Sequence, residues 1–107
     1  AELSFMKHYK GGRTIDGIRV TVNGTPLDPR YDIEVFTRLG FEWSYEGDAP
    51  RQLSLALIAD AVGEDPALQW SKPFMTRVVL CLDNDWQLTD DDIRKTLETM
   101  GVSHTTV

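Results

Sequence analysis

Three places along this chain carry side chains that could do chemistry. Glu42, Glu46 and Asp48 are interleaved with Phe41, Trp43 and Tyr45, and a pair of carboxylates with perturbed pKa values is a basis for general acid–base work. If residues 41–45 are extended, alternate side chains share a face, which sets Glu42 and Glu46 together beside the aromatics. An enzyme built here would use Glu42, Glu46 or Asp48 with Tyr45 and His8. The second cluster is Asp90, Asp91 and Asp92. It has the composition of a calcium loop but lacks the alternating oxygen ligands, central glycine and terminal glutamate that such a loop needs. The third is the histidine pair, His8 and His104, which stand near opposite ends with no further ligand at a metal-binding spacing. They read as a strand residue and a tail residue, and no metal is expected.

Other reactive types are scattered. Ser44, Ser54, Ser71 and Ser103 lie in no nucleophile elbow, and the glycines match neither a phosphate-binding loop nor a dinucleotide fingerprint, so no cofactor is expected. Cys81 is the single cysteine. It cannot form an intramolecular disulfide, and its apolar neighbours suggest a small buried hydrophobe in a reducing cytoplasm.

The charge balance narrows the choice of partner. Seventeen acidic against eleven basic residues leave a net charge of −6, which disfavours direct nucleic-acid binding and suits a basic protein surface. The acidic excess is concentrated after Asp60. The longest apolar run, residues 78–82, is far shorter than the roughly twenty residues of a membrane-spanning helix. Residues 1–5 carry no signal-peptide pattern and read as an appended or processed end.

These candidates must be positioned by a small number of elements. With 107 residues, 41% of them hydrophobic, the chain is expected to form one domain of the α+β class, a small antiparallel sheet or hairpin layer packed against three to four helices. A first strand over residues 5–10 is expected to break at Gly11 and Gly12. Residues 18–22 alternate Ile-Arg-Val-Thr-Val, the clearest strand, and Asn23-Gly24 predicts a tight hairpin turn. Pro26 and Pro29 confine residues 25–30 to an edge or loop. Residues 31–39 read as extended, and residues 40–50 as an aromatic strand and loop.

Asp48 as cap and Pro50 in the first turn predict a helix with Leu53, Leu57 and Ala61 on its apolar face, ending at Gly63. Asp65 and Pro66 begin a second helix that Pro73 should interrupt. Residues 74–82 suit either a buried helix or a central strand, and the spacing of Phe74, Val78 and Leu82 favours the helix. Trp86 and Leu88 then anchor the chain before a last helix, capped by Thr89 and stopped by Gly101, with Ile93, Leu97 and Met100 as its buried stripe. The tail, residues 102–107, is expected to fray.

Several segments resemble a family of small bacterial and phage proteins of unknown function. Tyr9-Lys10-Gly11-Gly12-Arg13 is similar to its early Tyr-x-Gly-x-Arg, and residues 22–30 resemble its hairpin segment. Residues 40–47, followed by Pro50, Gln52, Leu53 and the Leu/Ala-rich run after them, resemble its aromatic loop and helix. Trp86, Leu88 and Thr89 resemble the approach to its last helix. The resemblance implies a prokaryotic or phage setting and supplies no catalytic residue.

The function expected is therefore a non-enzymatic binding or regulatory module. Its contacts would be Glu42, Trp43, Tyr45, Glu46 and Asp48 on the aromatic loop and Asp90, Asp91 and Asp92 on the acidic helix. One version is an inhibitor of a host-defence or nucleic-acid-processing protein, with carboxylates occupying a basic groove. The alternative is a small enzyme using the carboxylates near the aromatic loop.

Overall fold

The computed structural model describes residues 6–101. Expectations for residues 1–5, for Ser103 and His104, and for the tail over 102–107 lie outside the described residues. Within them, a four-stranded antiparallel sheet and three helices form the expected α+β arrangement.

Strands β1 (His8–Thr14) and β2 (Gly17–Val22) pair with Tyr9 opposite Val22 and Thr14 opposite Gly17. The anticipated turn comes next, with Asn23 at φ 51° and Gly24 at φ 85°, and it returns the chain into β3 (Thr25–Pro26), only two residues long. Strand β4 (Trp86–Thr89) adds to the far side of β1, giving the order β3-β2-β1-β4. The expected break at Gly11 and Gly12 does not occur. A Cβ at Gly11 would lie 2.2 Å from Cε2 of Trp86, so this glycine makes room for an indole lying on the strand instead of turning the chain.

Helix α1 (Asp48–Ala61) is buried without interruption from Gln52 to Ala59, which explains why apolar residues occur all around it. Gly47, rather than Asp48, is its N-cap. Gly63, at φ 140°, ends the turn after α1, where its N–H donates to the Ile58 carbonyl, and it also caps α2 (Glu64–Arg77). Pro73 does not interrupt α2. The carbonyl its missing N–H would have met belongs to Gln69, and both residues are exposed, so water can serve it while Ala67, Phe74 and Met75 hold the opposite face in the core.

After Arg77 the helical path tightens into a 3-10 turn, Val79–Cys81. Neither a helix through residue 82 nor a strand forms. The change of pitch buries Val79 and turns Cys81 outward, so the cysteine is exposed and not the buried hydrophobe its neighbours suggested. Helix α3 (Asp90–Thr99) begins with a full capping box. Thr89 Oγ1 accepts from Asp92 N at 3.0 Å, and Asp92 Oδ2 accepts from Thr89 N at 2.9 Å. Tyr9, Val20 and Trp86 of the sheet join Leu53, Leu57, Phe74, Ile93 and Leu97 of the helices in one hydrophobic cluster.

Residues 27–47 contain no strand or helix, contrary to the extended reading of 31–39 and the aromatic strand expected over 40–50. Their conformation is imposed from outside. Gln52, fully buried on α1, accepts from Phe36 N (2.7 Å) and Thr37 N (3.3 Å) and donates to the carbonyls of Pro29 (2.8 Å) and Glu34 (3.0 Å). All four positions of its amide are used. Arg30 clasps Asp32 at 2.9–3.0 Å and Glu64 at 2.9 Å, tying the same segment to α2 and holding the Asp32 carboxyl below its ordinary value through the hydrogen bonds.

Candidate binding surface

Of the aromatic-loop carboxylates, Glu42 is engaged by β1, whereas Glu46 and Asp48 share a hollow. Arg13 Nη2 donates to Glu42 Oε1 at 2.7 Å and to the Trp43 carbonyl at 3.0 Å, and the guanidinium lies 4.6 Å from the centre of the Trp43 ring. Glu42 also accepts from Trp43 N–H at 3.2 Å. It therefore clamps the loop to β1. Trp43 is wholly buried, donates from Nε1 to the Asp83 carbonyl at 2.7 Å, and meets Trp86 edge-on with centroids 5.6 Å apart. It holds the loop from beneath and presents no surface to a partner. Tyr45, Glu46 and Asp48 are exposed. Glu46 and Asp48 border a hollow of about 330 Å3 with Arg51 and Lys72. His8 is not brought to them: it lines a separate hollow on the sheet with Lys10, Asn23 and Gln87.

The aspartates of α3 have local work. Asp90 accepts from the backbone of Lys7 (3.2 Å) and Asp91 (3.0 Å), while Asp92 completes the cap. Asp91 pairs with Lys95 at 3.0 Å, and this hydrogen bond raises the lysine above its ordinary pKa. Among the described residues no group of His, Cys, Asp and Glu could hold a metal ion. Among them, too, no helix is long and apolar enough to cross a membrane.

A different feature gathers on the other side of the hairpin. A groove of about 630 Å3 runs between β2 and residues 39–41, lined by Ile18, Val20, Pro26, Leu27, Leu39 and Phe41, among others. Leu39 is 96% exposed and Ile18 38%, so the rim of the groove is apolar surface open to water.

The hydrogen-bond pattern shows why the groove is open. Asn23 N donates to the His8 carbonyl at 2.8 Å, so bonded pairs fall at His8–Asn23 and then at every second position, Lys10–Thr21 and Gly12–Arg19. Ile18 and Val20 must turn their N–H and C=O away from β1. Val20 finds Leu27, whose N–H donates to it at 3.1 Å. Continuing that register places Pro29 opposite Ile18, and proline has no N–H to give. The chain leaves the sheet there, its Pro29 carbonyl taken by Gln52, and both main-chain groups of Ile18 face the groove without a partner among the described residues.

A model of a family of unknown function, DUF6166, matches residues 9–99. The chain belongs to this family. The DUF6166 match spans the sheet from Tyr9 to the last residue of α3 and so contains the whole of the groove. No curated protein and no solved structure matches the chain.

Within the DUF6166 segment, the groove residues Ile18, Leu39 and Phe41 were not singled out together from the sequence. A signal existed: once Asn23-Gly24 fixes the hairpin, counting outward puts Pro29 at a bonding position opposite Ile18, which marks an edge that cannot close.

Proposed function

We propose that this chain is a non-enzymatic binding module whose partner is a protein, and that the partner docks in the groove between β2 and residues 39–41. One observation carries the reading: a directional pair of free main-chain groups at Ile18 opens into a groove with buried Val20 and Leu27 at its base and Leu39 and Ile18 standing in water at its rim. That combination offers both burial and orientation to an incoming chain. The non-enzymatic part draws support from Glu42, Asp90, Asp91 and Asp92, which are engaged in clamps, caps and ion pairs. For the same reason, inhibition of a basic nucleic-acid-processing protein through the α3 aspartates is the weaker reading.

The test is a comparison of captures from native extract by the wild-type chain and by Leu39→Asp, a change at an exposed position that leaves the core untouched. A partner retained by the wild type and lost by L39D supports the reading. A partner held equally by both, or turnover of a small metabolite by the purified chain, contradicts it.

A further inference from the structure

From the edge chemistry of β2 we infer the form of the partner segment: an extended strand that adds to β2 at Ile18, with an apolar side chain beside Ile18 and a carboxylate next to it facing Arg19. This rests on the groove being the docking site and goes further, to the mode of recognition and the chemistry of the ligand.

The main-chain part comes from register. Ile18 offers one N–H and one C=O on the same side of the strand, the spacing at which a neighbouring strand exchanges two hydrogen bonds with a single residue. A helix has no free main-chain groups along its length to answer them, whereas an extended segment does. The groove floor is already strand-like on one side, because Val20 bonds Leu27 two residues further along. An added strand would continue the line that Pro29 abandons.

The side-chain part comes from alternation. Ile18 and Val20 turn towards the core side of the sheet, whereas Arg19 and Thr21 stand on the opposite face. A strand paired at Ile18 must place one side chain with Ile18, near Leu39 and Phe41, one neighbour beside Arg19 and the other beside Gly17. Arg19 is the only charged residue lining the groove. Among the described residues Arg19, like Arg77, has no ion pair, side-chain hydrogen bond or ring contact, whereas Arg13, Arg30 and Arg94 pair with carboxylates and Arg38 and Arg51 lie over aromatic rings. A cation left unpaired on an acidic chain, at a groove with no carboxylate of its own, complements an acidic residue on the ligand. The ligand pattern is therefore an apolar residue with an acidic residue on the one side that faces Arg19, in extended form.

The experiment uses the whole folded chain as bait for a random-peptide display library, followed by resynthesis of the selected peptides and affinity measurement. The expected peptides carry an acidic residue directly beside an apolar one. N-methylation of the residue facing Ile18 weakens them about tenfold, the loss expected for one main-chain bond. Arg19→Glu, an exposed change checked for folding by circular dichroism, reverses the preference to a basic residue at the flanking position.

Selected peptides without that acidic–apolar pair, indifference to N-methylation, or failure to select any binder overturns the inference. Peptides that are lost with Leu39→Asp yet indifferent to N-methylation leave the groove as the docking site and remove strand addition. Peptides indifferent to Leu39→Asp remove both. If the free chain instead dimerises and Leu39→Asp returns it to monomers, a second copy is the occupant and the partner segment is refuted.

Discussion

Replacing Gln52 by Leu should loosen the whole segment from residue 27 to residue 47 while leaving α1 intact. The side chain is fully buried and makes four hydrogen bonds, all to main-chain atoms of Pro29, Glu34, Phe36 and Thr37. Leucine is similar in size and a good helix former, so neither a cavity nor helix propensity enters the comparison. Each bond contributes about 1 kcal/mol net, and a buried group left unpaired costs about 1–3 kcal/mol. Phe36 and Thr37 are only half-buried, so water can recover part of the loss. The expected destabilisation is about 3 kcal/mol, against a total stability of roughly 5–15 kcal/mol for a domain of ordinary size. For a chain of this length it corresponds to a fall in Tm of roughly 12–24 °C. Thermal unfolding followed by far-ultraviolet circular dichroism measures it, and amide exchange at Phe36 should accelerate well before global unfolding. A Tm within about 3 °C of wild type, with Phe36 still protected, would show that the segment holds its shape without Gln52 and refute the reasoning.

The packing and the capping residues carry three more expected outcomes. Gly11→Ala drives a methyl into the Trp86 indole, which is backed by Trp43, and should cost about 3 kcal/mol; tryptophan fluorescence in urea titrations should show a lower midpoint, and an unchanged midpoint would mean the indole moves freely. Thr89→Ala removes one arm of the α3 capping box and should cost about 1 kcal/mol, measured by the same titration; no change would indicate that Asp90 or Asp91 replaces the cap. Tyr9 is fully buried, and its hydroxyl is held well above its ordinary pKa, first by burial and then by the nearby Asp60 carboxylate. A group raised in the fold gives stability that is complete below its unfolded pKa of about 10 and disappears as pH rises above it. Stability should therefore fall at alkaline pH, and less steeply in Tyr9→Phe; equal slopes for the two proteins would contradict this.

Much of the architecture was legible because it is local. The alternation over residues 18–22, the Asn23-Gly24 turn, the leucine-rich helix and the Thr89–Asp92 capping box each declare themselves within a few residues. The failures share a different cause. Phe41, Trp43 and Tyr45 alternate as a strand would, but Trp43 is fixed by Arg13 and by the Asp83 carbonyl, contacts distant in sequence that override the pattern. Gly11 and Gly12 look like a turn because the need for them lies in β4, at Trp86 and Asp85 beside it. Pro73 looks like a helix stop because the exposure of Gln69 cannot be read from spacing. The candidate binding residues fared likewise: Glu42 and Trp43 were conspicuous by type, and both are committed to holding the loop. The groove was hidden in Ile18, an ordinary strand residue whose partner position falls on a proline.

Amide hydrogen exchange at Ile18, measured residue by residue in the free chain, tests most directly whether the β2 edge is open. Exchange at the rate of an unprotected loop amide, with Arg19 and Thr21 slowed by their bonds to β1, is the expected result. A protected Ile18 amide in the monomeric free chain would mean that the edge is already closed, and strand addition could not then be the means of recognition.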